Sequence, residues 1–150
     1  MTTLAVDKQM QTQTQKQTGE LLGEIRGHIV SRSIKDITPS GVRFELINEA
    51  QFVGGKYTAT HLETVNMFQK IDGTLEWESK GVESTVEGDF VAINGRGNGK
   101  LSGPTNVRAE GEFTYMTRSP KLSWLNGTKS RLEVNADMKT GEFELKVYSQ

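Results

Sequence analysis

Cysteine is absent from this 150-residue chain, and histidine and tryptophan occur twice each. Without thiols there is no disulfide framework, no thiolate nucleophile and no Cys-ligated zinc. With His28 and His61 as the imidazoles, a metal site has to be rich in carboxylates. No spacing of Asp or Glu describes such a site, so neither a metal nor another cofactor is expected. Long apolar runs are missing as well. The N-terminal Leu4-Ala5-Val6 is too short for a signal-peptide core or a membrane span, so the expectation is a cytoplasmic chain with no membrane partner. Charge of one sign is lacking too: 18 Lys and Arg against 19 Asp and Glu leave a net charge of −1. The basic residues are spread along the chain rather than gathered in a patch, which argues against nucleic acid as a partner.

What is present suffices for one domain. Leu, Ile, Val and Phe make up 35 of the 150 residues, enough to bury a core without staples. From Lys8 to Thr18 the chain is almost all Gln, Thr and Lys, with Gln at every second position from Gln9 to Gln17. Residues 1–19 therefore read as a flexible polar arm or, alternatively, as a strand added at a sheet edge. Residues 20–150 read as the folded domain.

From Glu20 onward the apolar period is two, the signature of half-buried strands. Leu21, Ile25 and Ile29 share a face, and His28 falls with Glu24, Arg26 and Arg32 on the wet one. Thr38-Pro39-Ser40-Gly41 makes a turn. Val42, Phe44 and Leu46 alternate, although Val42, Leu46, Ala50 and Val53 also fit a helical stripe. Further strands are expected over Tyr57 to Phe68, Thr74 to Ser79 after the Asp72-Gly73 turn, Val82 to Ile93, Asn106 to Met116, Arg131 to Met138 and Glu142 to Tyr148. The run Gly95-Arg96-Gly97-Asn98-Gly99 is read as a hairpin loop. All three prolines, Pro39, Pro104 and Pro120, lie at breaks. About eight short strands with no convincing helix predict an all-β fold, a single closed antiparallel β-barrel, with a sandwich as the alternative.

One block interrupts the alternation: Thr117-Arg118-Ser119-Pro120, then Trp124-Leu125-Asn126. Together with Val147-Tyr148 it resembles the signature of a bacterial domain family of unknown function, whose members form barrels similar to allene oxide cyclase. Gly41-x-Arg43, Gly54-Gly55 before Tyr57, Asp72-Gly73 before Trp77, and Gly88-Asp89 before Asn94-Gly95 extend the resemblance over residues 41 to 148. It implies an allene-oxide-cyclase-like barrel and, by analogy, small-molecule chemistry. Barrels of this kind often associate, so a homo-oligomer is among the expected partners.

The strand after Tyr57 places His61 and Glu63 on one face, a carboxylate beside an imidazole suited to proton transfer if that face points inward. If instead Leu62 and Phe68 mark the inside, both are surface groups. Arg118 is the candidate to clamp a carboxylate, enolate or carbonyl oxygen at the barrel mouth, or else it ties its block to a neighbouring loop. Tyr57, Trp77, Tyr115, Trp124 and Asn126 are the expected ligand contacts, with core packing the competing role for both tryptophans. Several motifs fail. Gly95 to Lys100 lacks the first glycine of a P-loop and has Leu101 where Ser or Thr is needed, and no nucleophile elbow supports Ser/His/Asp catalysis. Two readings follow: a cofactor-independent isomerase or cyclase working on a small molecule in the barrel, or a carrier holding a small apolar or amphipathic ligand without chemistry.

Overall fold

The structure, a computed structural model, describes residues 19–150. All of the expected polar arm except Gly19 lies outside the described residues. Eight strands follow in chain order: β1 (Leu21–Thr38), β2 (Gly41–Gly54), β3 (Thr58–Lys70), β4 (Thr74–Ser84), β5 (Phe90–Leu101), β6 (Asn106–Thr117), β7 (Lys129–Asp137) and β8 (Glu142–Ser149). Each pairs antiparallel with the next, and β8 returns to β1, closing an up-and-down barrel. Closure leaves every strand two neighbours and so removes the sheet edges that an open meander exposes. Among the described residues no helix is long and apolar enough to cross a membrane.

Period-two patterning decides which side chains fill the barrel. Phe52, Leu46, Met67, Leu75, Trp77, Val91, Ile93, Phe113, Leu132, Leu145 and Val147 are buried on the inner faces. The outer faces carry ion pairs such as Arg96 with Glu112, and His28 stands outside within 3.7 Å of Glu142. In β2 the strand reading prevails over the helical stripe. Leu46, Asn48 and Phe52 turn inward together because both neighbouring ladders fix the register.

Two expectations are corrected here. The Gly95–Gly99 run is not a hairpin loop but the middle of β5. Its inward positions lack side chains because large rings from neighbouring strands need the space. A Cβ on Gly97 would stand 2.8 Å from Trp77 Cε2, and one on Gly111 of β6 2.5 Å from Trp77 Cζ2. The expected strand from Val82 to Ile93 is divided between β4 and β5. Thr85 and Asp89 close the turn between them, each backbone N–H bonding the other residue, with Gly88 at φ +95°.

The two barrel ends differ. The β1–β2, β3–β4, β5–β6 and β7–β8 turns ring one end, which remains a mouth. At the other end the β6–β7 connection folds into a 3₁₀ segment, Pro120–Gly127, that drives Leu122 and Leu125 into the barrel as a plug. Pro120 suits the first position of that turn, where its missing N–H costs nothing. The Asn126 side chain clasps the backbone of Thr117 at 2.8 and 3.0 Å, and Ser119 Oγ donates to Asp89 Oδ1 at 2.5 Å.

Candidate functional site

The barrel interior holds an unusual charge. His61 and Glu63 of β3 and Glu83 of β4 all point inward and are almost wholly buried. The imidazole lies between the two carboxylates: Nδ1 is 2.9 Å from Glu83 Oε2, and Nε2 is 2.9 Å from Glu63 Oε1. Tyr57, at the plugged end, donates its hydroxyl to the remaining Glu83 oxygen at 2.6 Å. A continuous chain of polar contacts thus runs Tyr57, Glu83, His61, Glu63 down the barrel axis.

Burial alone would push the His61 pKa down. The hydrogen bonds from both ring nitrogens to Glu63 and Glu83, and the carboxylate charges, outweigh it and raise the pKa to about 9. His61 is therefore an imidazolium at neutral pH. Tyr57 moves far upward through burial first, then through the Glu83 charge and hydrogen bond, so its phenol stays neutral. Tyr115 is raised as well, mainly by burial, and it shares a 2.6 Å hydrogen bond with the buried Ser130. Because both imidazole nitrogens are taken, the carboxylates sit on opposite sides of the ring. Among the described residues no group of three or more His, Cys, Asp or Glu is arranged around a common metal position.

Beyond Glu63 the lumen opens into a chamber of about 80 Å³, enough for several waters or the head of a small ligand. Glu63, Asn48 and Trp77 border it among aliphatic walls that include Leu46, Val65 and Leu145. Both Asn48 and Trp77 carry a buried polar atom, Oδ1 and Nε1, that has no hydrogen-bond partner among the described residues. Met138 borders both this chamber and a wider depression of about 530 Å³ at the mouth, walled by Ile34, Phe44, Met67 and Leu101. The β1–β2 hairpin forms one side of that depression. It continues past the end of the β1–β8 ladder at His28 and Glu142, bent by irregularities between Ile29 and Ser31 and between Ile34 and Asp36.

The expected site residues divide by position. His61, Glu63, Tyr57 and Trp77 are brought together along the axis. Tyr115 is half-buried near the plug and meets Phe113 edge-on at 6.2 Å. Trp124 covers Tyr57 with centroids 6.5 Å apart and carries Lys56 Nζ 4.4 Å above its ring. Asn126 is spent on the Thr117 backbone. Arg118 is exposed beside the plug and does not border the chamber. Glu83 was not singled out by sequence, although the signal existed: counting the ladder outward from the Asp72-Gly73 turn sets Glu83 opposite His61. Asn48 carried no such mark.

No protein-family model matches the sequence, and no curated protein matches it. Among solved structures the chain is similar to a conserved protein of unknown function from Rhodopseudomonas palustris, at 13% identity and a TM-score of 0.75 over 87% of this chain and 95% of that one. A protein of unknown function from Clostridium acetobutylicum aligns at 16% identity and 0.77, covering 87% and 94%. A beta-barrel like protein from Acinetobacter baumannii aligns at 16% and 0.75, covering 87% and 93%. These likenesses are of fold.

Proposed function

We propose that the barrel binds a small organic molecule in its lumen and that Glu63 exchanges a proton with it, as in a cofactor-independent isomerase or cyclase. The observation that carries this reading is Glu63 itself. One oxygen is held by the His61 imidazolium, and the residue forms part of a chamber wall. Buried ion clusters stabilise folds less well than apolar packing of the same volume, and strongly perturbed groups gather where chemistry is done. Glu63 serves as the base or acid, His61 holds it through Nε2 while Glu83 orients the imidazole through Nδ1, and the unpartnered Trp77 Nε1–H is a donor for an oxygen that gains charge during reaction. Met138, flexible and unbranched, stands between mouth and chamber where a ligand would pass. The sequence block resembles a family of unknown function whose barrels are similar to allene oxide cyclase, and that resemblance supports the same reaction class by analogy alone.

The test is hydrogen exchange into a panel of small enolisable ketones in D₂O, followed by proton NMR. Glu63→Gln keeps the shape of the chamber and is expected to abolish protein-dependent exchange while the variant stays folded. Exchange at the wild-type rate in that variant would exclude Glu63 as the proton carrier. The carrier reading has its own supporting observation. With Arg118 outside, no Lys or Arg among the described residues borders the chamber to hold an enolate, and most of its wall is apolar. Binding without exchange for any probe would favour it.

A further inference from the structure

We infer that the ligand of the lumen is an organic cation, a protonated amine whose charged head enters the 80 Å³ chamber while its apolar part points to the mouth. This inference deepens the proposed function and rests on the lumen being a ligand site. The first support is the make-up of the buried cluster. Two acidic side chains, Glu63 and Glu83, flank a single basic one, His61, so acidic groups are in excess. Among the described residues the buried polar groups are Asn48, His61, Glu63, Ser79, Glu83, Thr117 and Ser130, with no buried Lys or Arg to balance the excess. In a poorly screened interior such an excess attracts a cation and repels an anion.

The second support is the wall of the chamber. Asn48, 7% exposed, offers an acceptor oxygen there with no partner, matching the N–H donors of an ammonium. Trp77 borders the same space, and indole is the ring that best attracts a cation. Its unpartnered Nε1–H calls in addition for an acceptor, which a hydroxyl or ether oxygen near the cationic nitrogen would supply. The largely apolar depression at the mouth, walled by Ile34, Phe44, Met67 and Leu101 with Arg32 also lining it, suits the apolar remainder of such a molecule.

The experiment compares butylammonium, 1-butanol and butyrate, each titrated into ¹⁵N-labelled protein while the two indole N–H resonances are followed. The Trp77 resonance, assigned by its loss in Trp77→Phe, is expected to shift with butylammonium at an affinity at least about tenfold above that for butanol, and not with butyrate. Glu63→Gln is expected to remove that preference and keep butanol binding; the three-probe comparison on wild type decides the matter even if the variant does not fold. Equal affinities, or butyrate bound best, overturn the cation while leaving the lumen site standing. No Trp77 shift with any probe overturns both.

Discussion

His61 is the residue on which the interior depends. Its imidazolium separates Glu63 from Glu83, and removing it leaves two carboxylates facing each other in a low-dielectric lumen. His61→Ala is expected to lower stability by about 3–5 kcal/mol, the usual cost of breaking a buried pair from one side, as read from the urea midpoint. Tyr57→Phe is a gentler probe: it deprives Glu83 Oε1 of its donor and should cost about 1–3 kcal/mol in the same measurement. The site was half legible in the sequence at this scale. The shared parity of His61 and Glu63 on β3 follows from strand geometry, but parity does not say which face is wet; only the closing of the barrel decides that. Glu83 required a cross-strand register, and Arg118 drew notice for its chemistry although its place beside the plug turns it to solvent.

At the level of elements, the plug and the glycine-rich wall do the positioning. Leu125 is buried at the closed end, beside Tyr57, Tyr115 and Trp124. Leu125→Ala is expected to cost about 2–5 kcal/mol in thermal or urea unfolding through the cavity it leaves. On the opposite wall, Gly111→Val would drive Cβ and its methyls into Trp77 and into the Arg96 carbonyl, 2.2 Å from the ideal Cβ position. Loss of about 1–3 kcal/mol or more and a shifted tryptophan emission are expected. These elements also show why the strand assignments failed where they did. A glycine run signals a loop when only local propensity is weighed, whereas in β5 the space of the missing side chains is taken by Trp77 and Phe113 from the flanking strands β4 and β6. The plug segment carries no helical periodicity, so only its proline and its break in alternation marked it. Strands with a two-residue period and turn-bounded ends, such as β3 and β8, were readable directly.

Over the whole molecule the buried charge couples folding to pH. The His61 pKa is raised in the folded protein, to about 9 from an ordinary value of 6.5. Its contribution to stability is therefore complete below pH 6.5 and is lost as pH rises through 9, a difference of roughly 3 kcal/mol by linkage. Melting temperature measured from pH 6 to 10 should fall across that interval, and His61→Gln should flatten the fall. The eight-strand closed barrel itself was legible from patterning, because alternation and turn chemistry agree along most of the chain. The polarity of its centre was not, since an inward carboxylate and an outward one look alike in sequence.

The most direct measurement is a two-dimensional ¹⁵N–¹H correlation of the His61 imidazole at pH 7.5. Both ring nitrogens are predicted to show protonated, imidazolium shifts, each proton held in a hydrogen bond, with titration centred near pH 9. A neutral ring at pH 7.5, with one nitrogen unprotonated and a midpoint near 6.5, would contradict the account of a buried imidazolium holding Glu63 at the chamber wall.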